Sequence, residues 1–245
     1  MSNAIRRLDS DRMFVSTIER FEKYEFSDDR HSVRIILTTG KAATLEAEAS
    51  HYVVVCDGEF QVSLKNATHH LSEGCFGSFP GVTQIKGEGR AFVLSSLGYR
   101  SPLLAGGPAE EQGRLRYVDG CTTSLLLPPP VRGEPCLNFM HLPRNVSQTM
   151  HTHPSLRAGI ILSGNGQCKT KKGVLGFHPG TTFFIPPYLP HSFQSNDETL
   201  RIAIFHPDSD SGPTHTNHTM LNRTFVGGKS AQFITKLHTT DGAQQ

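Results

Sequence analysis

Three histidines in the C-terminal half of the chain have a spacing that suits metal binding. His151 and His153 lie two residues apart, and His191 follows a proline-rich turn in FFIPPYLPHSF. Residues i and i+2 of a strand point to the same face, so the first two imidazoles would project side by side. Neutral imidazole is the commonest metal ligand in proteins. The sequence therefore predicts a metal site formed by His151, His153 and His191.

Arg157 lies four residues after the histidine pair, and its position has two interpretations. If its side chain points inward, the guanidinium would bind a substrate carboxylate or enolate beside the metal. If it points outward, Arg157 would be a salt-bridging residue at the start of a strand. A cation that faces a bound metal is costly unless an anion lies between them. An inward Arg157 therefore predicts an anionic ligand.

Five further residues are candidates for positions at the same pocket. They follow from strand alternation or from a place at a turn, and they are His141, His206, Thr149, Gly159 and Tyr188. The two histidines end rows of apolar residues, and each is either an acid–base group or a hydrogen-bonded core residue. The other three are candidate substrate-binding positions. Thr149 extends the row of the ligands, Gly159 would leave room for substrate, and Tyr188 lies on the rim turn.

Most of the chain consists of short apolar or alternating runs that are closed by Gly, Pro, Asn or Asp. Examples are YVVVC (52–56), FVLSSL (92–97), AGIIL (158–162), TTFFI (181–185) and LRIAIF (200–205). Runs of β-branched and aromatic residues with this spacing predict an all-β sandwich or barrel. Residues 12–25 differ, because Phe14, Ile18 and Phe21 have the spacing of one amphipathic helix.

The composition excludes several classes of function. The chain has 24 basic and 22 acidic side chains, and this balance gives no electrostatic basis for binding nucleic acid or an anionic membrane. No segment approaches the roughly 18 uninterrupted apolar residues of a membrane helix, and the N-terminus lacks the apolar run of a signal peptide. Five scattered cysteines with no CxxC pair predict a reduced, cytoplasmic protein.

An internal repeat indicates that the β-structure is duplicated. Residues 50–85 align without gaps with residues 156–191, 106 positions later. The identical pairs are Gly58 and Gly164, Gln61 and Gln167, Lys65 and Lys171, Gly74 and Gly180, and Pro80 and Pro186. Because glycine and proline fix turns, their shared positions predict the same chain path in both halves.

The histidine series resembles the two motifs of the cupin superfamily, whose members are small β-barrels. The first motif is G-x5-H-x-H-x3,4-E-x6-G, and the second is G-x5-P-x-G-x2-H-x3-N. Six residues match them in order: His151, His153, Gly164, Gly180, Pro186 and His191. The resemblance is strongest over residues 136–206 and extends through the repeat to residues 30–100. It implies two jelly-roll (double-stranded β-helix) barrels in tandem, which is a bicupin.

The departures from these motifs bear on the chemistry. Asn145 and Tyr188 replace two motif glycines, Arg157 replaces the glutamate that usually joins the histidines on the metal, and Ser195 replaces the final asparagine. The three-histidine site that remains is similar to that of gentisate, β-diketone and thiol dioxygenases. The resemblance implies one divalent metal, with Fe(II) favoured, and a small anionic substrate that binds through two atoms. Imidazole also suits Zn, Ni and Mn.

The N-terminal barrel lacks the ligands, because the repeat places Leu45, Ala47 and Ile85 at the three histidine positions. We expect an N-terminal arm (1–29), a degenerate barrel (30–100), a linker with the first strands of the second barrel (101–135), a metal-binding barrel (136–206) and a tail (207–245). The resemblance also implies a homodimer.

Three functions are compatible with this sequence. The first is an Fe(II)-dependent dioxygenase, as the resemblance implies. The second is a metal-dependent isomerase, cyclase or lyase that does not use O2. The third is a bicupin that binds or senses a small molecule without catalysis.

Overall fold

A computed structural model describes residues 4–235, and regular structure in this range is almost entirely β-strand. The first ten strands are β1 (Ile5–Arg7), β2 (Phe14–Thr17), β3 (Glu22–Ser27), β4 (Ser32–Thr38), β5 (Ala43–Leu45), β6 (Ala49–Leu64), β7 (Ala67–Ser72), β8 (Phe76–Pro80), β9 (Thr83–Leu97) and β10 (Leu104–Gly106). The others are β11 (Leu115–Arg116), β12 (Thr122–Leu127), β13 (Cys136–Leu142), β14 (Arg157–Ser163), β15 (Gly166–Thr170), β16 (Gly173–Phe177), β17 (Thr181–Ile185), β18 (His191–Ser195), β19 (Leu200–His206), β20 (Phe225–Val226) and β21 (Lys229–Ser230).

Helical structure within residues 4–235 is limited to short segments. One α-helix, α1, covers Thr219–Asn222, and 3-10 turns cover Val118–Gly120 and Ala231–Phe233. Between residues 4 and 235 no helix has the length and apolar character needed to cross a membrane. The predicted all-β class is confirmed. Residues 236–245 of the predicted tail lie outside the described range.

The strands form two barrels in tandem, as predicted. In the first, a nine-stranded sheet has the order β1-β3-β4-β9-β6-β8-β10, with β5 on β9 and β7 on β6. In the second, a seven-stranded sheet of order β11-β12-β13-β19-β14-β17-β2 accompanies a three-stranded sheet of order β16-β15-β18. Each barrel encloses its own apolar cluster. A third cluster lies between the barrels and includes the aromatic pairs Tyr52–Phe205 and Phe26–Phe184.

The N-terminal strands contribute to both barrels, so the predicted helix over residues 12–25 is wrong. Strand β2 pairs with β17 of the second barrel, whereas β3 pairs with β4 of the first. The helical spacing of the apolar residues is real, but EKYEFS also buries alternate side chains, and Phe14 and Val15 of FVST pack against two different apolar clusters. Pairing with open sheet edges satisfies backbone groups and overrides the local preference.

The internal repeat has a physical basis in its glycines. Gly58 and Gly164 have φ values of 79° and 80°, and Gly74 and Gly180 have 76° and 84°. A Cβ atom on Gly58 would lie 2.1 Å from a carbonyl oxygen of the facing chain, and one on Gly164 would lie 1.9 Å from another. Both left-handed backbone and close approach therefore require glycine at these two equivalent turns.

The interior of the N-terminal barrel holds a fully hydrogen-bonded histidine. The His51 side chain is completely buried, with Nδ1 2.8 Å from Ser95 Oγ and Nε2 3.0 Å from the carbonyl oxygens of both Glu46 and Gly81. In the first barrel His51 pairs with Phe79 across two neighbouring strands. In the second barrel Arg157 pairs with Ile185 at the equivalent place. His51 thus occupies the position equivalent to Arg157, in a structural role.

Candidate metal centre

The three predicted ligand histidines converge at one end of the C-terminal barrel. His151 and His191 form an isolated antiparallel bridge in which each backbone N–H donates to the carbonyl oxygen of the other over 3.0 Å. This pairing places the two rings on the same side, with centroids 4.7 Å apart. The His153 ring lies 5.0 Å from the first and 5.2 Å from the second. One nitrogen from each ring lies within 4.8 Å of the other two, so the cluster can share one ion.

Backbone carbonyls fix the orientation of two of these rings. Nδ1 of His151 lies 2.7 Å from the carbonyl oxygen of Thr149, and Nδ1 of His191 lies 2.8 Å from that of Leu189. A carbonyl oxygen only accepts, so each Nδ1 carries the proton and each Nε2 keeps a free lone pair. Metal-binding histidines are commonly held in this way, because it fixes both the tautomer and the ring orientation.

The cluster opens onto a cavity of about 150 Å³ inside the C-terminal barrel. Its apolar walls are formed by Met140, Ile185, Phe193 and Ile204. The polar lining, besides the three histidines, consists of Tyr117, Thr123, Asn138, Gln148, Arg157 and His206. A small volume with apolar walls and a few convergent polar groups is typical of a small-molecule site.

The surroundings favour the neutral form of the histidines. Burial, reinforced by the nearby Arg157, lowers the pKa of His153 to about 3. Burial also lowers the pKa of His191 to about 4. For His206 the direction is the same and burial is again the main cause. Only a neutral imidazole has a lone pair for a metal, so His153 and His191 are ready to bind a cation at neutral pH without losing a proton.

Arg157 lines the cavity, which is the inward one of its two predicted positions. Its side chain is 11% exposed. Nη1 donates to Ser155 Oγ at 2.7 Å and to the carbonyl oxygen of Leu156 at 2.8 Å, and it lies 3.9 Å from Asp208. Nε, in contrast, is buried with no hydrogen-bond partner among the described residues. One side of the guanidinium is therefore held by protein, while Nε on the other side is unsatisfied.

His206 also lines the cavity, and Asn138 sets its orientation. The Asn138 side-chain nitrogen lies 3.1 Å from Nδ1 of His206. An amide nitrogen only donates, so Nδ1 accepts and the proton of the neutral ring sits on Nε2. His206 is thus a hydrogen-bond donor at the cavity.

His141 lies outside the lining, which corrects its predicted position at the pocket. It shares a face of β13 with Leu137 and Phe139, as predicted, but those two residues belong to the cluster between the barrels. The opposite face of the strand carries Asn138 and Met140 into the cavity. Because β13 is buried on both faces, alternation alone does not distinguish them. Nδ1 of His141 lies 3.3 Å from Thr122 Oγ1, and burial lowers its pKa.

The three predicted substrate-binding residues also lie outside the lining. The Thr149 side chain is exposed and donates to Asp119. A Cβ on Gly159 would lie 2.3 Å from the carbonyl oxygen of Ala203, so its missing side chain serves close strand packing and makes no room for substrate. Tyr188 is 64% exposed, and its backbone N–H donates to the carbonyl oxygen of His153.

Sequence reasoning missed several residues of the cavity. Gln148 is 4% exposed and lines the cavity in place of Thr149, because residues 143–156 form isolated bridges and no continuous strand. Tyr117 reaches the site from the segment between the barrels, and no sequence pattern pointed to it. Asn138 could have been predicted, because it is a polar residue within the apolar run LNFMHL and so indicates which face of the strand meets a polar cavity.

Two of the motif departures keep the backbone shape that the motif requires. Asn145 has a φ of 57° and Tyr188 a φ of 59°, which is the left-handed region favoured by glycine. Asparagine enters this region more readily than most residues, whereas tyrosine does so at a cost in strain. The turn conformation around the site is therefore retained even where its glycines are replaced.

Comparison with known proteins agrees with this architecture. A sequence model of the AraC-like ligand binding domain family matches residues 136–211. No curated protein matches the chain in sequence. Among solved structures, a Cupin 2 conserved barrel domain protein from Leptotrichia buccalis is similar, with a TM-score of 0.58 and 13% identity over 84% of this chain and 100% of that one.

Two further structures share the fold. The putative glyoxylate induced protein from Pseudomonas aeruginosa has a TM-score of 0.58 and 14% identity, and the match covers 84% of this chain and 83% of that one. Salicylate 1,2-dioxygenase from Pseudoaminobacter salicylatoxidans, in a structure with gentisate, has a TM-score of 0.53 and 12% identity over 73% of this chain and 68% of that one. The family match over residues 136–211, the shared fold and the three-histidine cluster together support a cupin superfamily protein, with two cupin-type barrels in tandem.

Proposed function

We propose that the C-terminal barrel is the active site of a metal-dependent enzyme, in which His151, His153 and His191 hold one divalent ion. We further propose that the ion is Fe(II) and that the reaction is a dioxygenation of a small organic anion. The observation that supports this most directly is the convergence of three imidazole nitrogens within 4.8 Å at the wall of a buried cavity.

The donor set fits a catalytic metal. Catalytic sites commonly have three protein ligands and keep further positions open for substrate, whereas structural sites are closed by a fourth protein ligand. When bound, Fe(II) would supply open coordination positions at which an organic substrate and O2 can meet. Zn, Ni and Mn remain compatible with three imidazoles. The choice of Fe(II) rests on the resemblance of the motifs to those of three-histidine dioxygenases and on a fold shared with a dioxygenase, salicylate 1,2-dioxygenase.

Arg157 favours an anionic substrate. With Nη1 held by Ser155 and Leu156, the guanidinium edge formed by Nε and Nη2 makes no hydrogen bond to the described residues. Two parallel N–H groups on one guanidinium edge match the two oxygens of a carboxylate. An anion there would satisfy the buried Nε and offset the cost of a cation beside the metal position. The cavity volume of about 150 Å³ limits this substrate to a small molecule.

His206 would hold the substrate from a second direction. Because Asn138 donates to its Nδ1, the ring presents Nε2–H and can donate to a substrate oxygen. The apolar side chains of Met140, Ile185 and Phe193 would exclude water from the remaining surface. Low polarity around the site strengthens both hydrogen bonds.

The test begins with the metal content of the purified protein and with Fe(II) reconstitution under argon. The wild type is expected to bind one Fe(II) per chain, and His153→Ala and His191→Ala are expected to lose it. His70→Ala is the matched control, because His70 is an exposed histidine of the other barrel. O2 uptake is then measured with a panel of aromatic diols, diketones and thiols. Turnover under argon without O2 uptake would replace the dioxygenase by a metal-dependent isomerase, cyclase or lyase.

A second candidate function is small-molecule binding without catalysis. The observation that favours it is the match of residues 136–211, which include the whole histidine cluster, to an AraC-like ligand binding domain. A protein that binds small carboxylates equally well with and without metal would support this candidate and contradict the enzyme. Assembly as a homodimer and a cytoplasmic location stay predictions, for which size-exclusion chromatography with light scattering and cell fractionation are the direct measurements.

A further inference from the structure

A tight turn at residues 117–121, in the segment between the barrels, lies beside the three-histidine site and contacts Gln148 and Thr149. Tyr117 lines the cavity. The sulfur of Cys121 accepts from the side-chain amide of Gln148, which also lines the cavity, over 3.4 Å. Between them lies Asp119, whose carboxylate reaches the chain that carries the first ligand histidine. The turn is closed by hydrogen bonds between the backbones of Tyr117 and Cys121 and of Cys121 and Val118.

Asp119 connects to His151 through a single residue. Its carboxylate accepts from the backbone N–H of Thr149 at 2.6 Å and from Thr149 Oγ1 at 3.1 Å, so both oxygens are used. The carbonyl oxygen of Thr149 in turn accepts from Nδ1 of His151 at 2.7 Å. Thr149 itself is exposed and lies in an irregular part of the chain. The two bonds to Asp119 hold Thr149 itself, while backbone hydrogen bonds of Gln148 to Phe193 and of His151 to His191 hold its neighbours.

The backbone at this turn is adapted to that contact. Asp119 has φ 54° and ψ 34°, and Gly120 follows with φ 79°. Left-handed backbone is uncommon outside glycine, and such conformations persist where surrounding contacts over-determine them. A Cβ on Gly120 would meet no atom within 4 Å, so glycine is favoured there by its positive φ and not by close packing. The turn is held by its own backbone hydrogen bonds between Tyr117, Val118 and Cys121, and the double hydrogen bond from Thr149 adds to them.

We propose that Asp119 is a positioning residue for the metal site. By fixing Thr149, it keeps the His151 ring in the tautomer and orientation that direct Nε2 to the metal. This inference rests on the proposed function, in which His151 is a ligand. Replacing a group that is hydrogen-bonded to a metal-binding histidine typically lowers metal affinity by about 10- to 100-fold, and Asp119 acts on such a group, Thr149.

Co(II) affinity is the direct test, measured by competition with a chromophoric chelator, together with the visible absorption spectrum of bound Co(II). Asp119→Ala is expected to weaken Co(II) binding by about 10- to 100-fold and to change the intensity of the Co(II) bands. Asp119→Asn keeps one acceptor and is expected to fall between Asp119→Ala and the wild type. The matched control is Asp11→Ala, because Asp11 is an exposed carboxylate that pairs with Lys172 away from the site.

A glycine variant separates positioning from folding. Asp119→Gly removes the carboxylate but accepts left-handed backbone without strain, so it is expected to fold and still to lose Co(II) affinity. In the metal-free protein, ring 15N NMR is expected to show His151 protonated on Nδ1 in the wild type and a mixture of tautomers in Asp119→Gly. Wild-type affinity and spectrum in both the alanine and glycine variants would overturn the role of Asp119 alone. Absence of Co(II) binding by the wild type would overturn the proposed metal site itself.

Discussion

The buried His51 predicts how the stability of the protein depends on pH. Its ring is completely buried, and both nitrogens are hydrogen-bonded to Ser95 and to two backbone carbonyls. Burial lowers its pKa to about 4, whereas an exposed histidine has a pKa of about 6.5. Between these two values the unfolded chain binds a proton that the folded chain does not. Stability must therefore fall as the pH is lowered through this window.

The size of the effect follows from the two pKa values. At pH 7.5 both states are almost entirely neutral at this residue, so His51 contributes no pH-dependent term. At pH 5.0 the unfolded state is protonated and the folded state is still mostly neutral, which lowers the free energy of unfolding by about 2 kcal/mol. The loss levels off below pH 4, where the folded ring itself takes up a proton.

Urea unfolding followed by circular dichroism at pH 7.5 and 5.0 measures this quantity in the wild type and in His51→Gln. The glutamine amide can donate to the carbonyl oxygens and accept from Ser95, but it does not titrate. Other buried histidines, among them His153 and His191, titrate in both proteins, so their contribution cancels. The wild type is expected to lose about 2 kcal/mol more than the variant between the two pH values. A difference below about 0.5 kcal/mol, or an NMR titration of His51 near its ordinary pKa, would refute the reasoning.

Three further predictions concern the scaffold and the site. Gly164→Ala is expected to cost about 1–3 kcal/mol more than Gly98→Ala in chemical unfolding, because both glycines have positive φ but only the first would place Cβ against a carbonyl oxygen; equal costs would contradict this. Ser16→Pro removes a backbone N–H that faces β17, so it is expected to release β2 from β17 and to weaken Co(II) binding. Val15→Pro removes an N–H that points away from β17, so both effects are expected to be smaller. Adding Co(II) at about 100 times its Kd is expected to stabilise the protein by about 2.7 kcal/mol in thermal unfolding, and the stabilisation should vanish when a ligand histidine is replaced.

The fold was predictable from the sequence because the features that determine it are local and repeated. Gly58 and Gly164 occupy turns at which a side chain would collide with the facing chain, so the spacing of these glycines predicts where the chain turns in each barrel. The three-histidine cluster was predictable for a related reason. The HxH pair and the histidine after a proline-rich turn keep fixed places relative to those glycines.

The errors arise where the three-dimensional surroundings decide between alternatives that the sequence leaves equal. Residues 12–25 fit a helix by their apolar spacing, but in the structure they form strands β2 and β3, which pair with β17 and β4 at the edges of two different sheets. His141 lies on an apolar row of β13, and only the packing of two barrels shows that this row faces away from the cavity. Strand alternation predicted Thr149 at the cavity, but Gln148 lies there, because the chain before His151 forms only isolated bridges and no regular strand.

The two barrels differ in how their equivalent inner positions are satisfied, and this explains why only one is expected to bind a ligand. His51 has partners for both ring nitrogens, so the N-terminal barrel gains nothing from a guest molecule at that point. Arg157, at the equivalent position of the other barrel, has Nη1 saturated, whereas its buried Nε has no hydrogen-bond partner within residues 4–235. An unpaired buried donor destabilises the free protein by about 1–3 kcal/mol, and an anion that bound there would recover that energy. The proposed binding of an anion in the C-terminal barrel therefore depends on the unsatisfied N–H of Arg157 Nε. Strand position and residue type do not by themselves show that this donor lacks a partner.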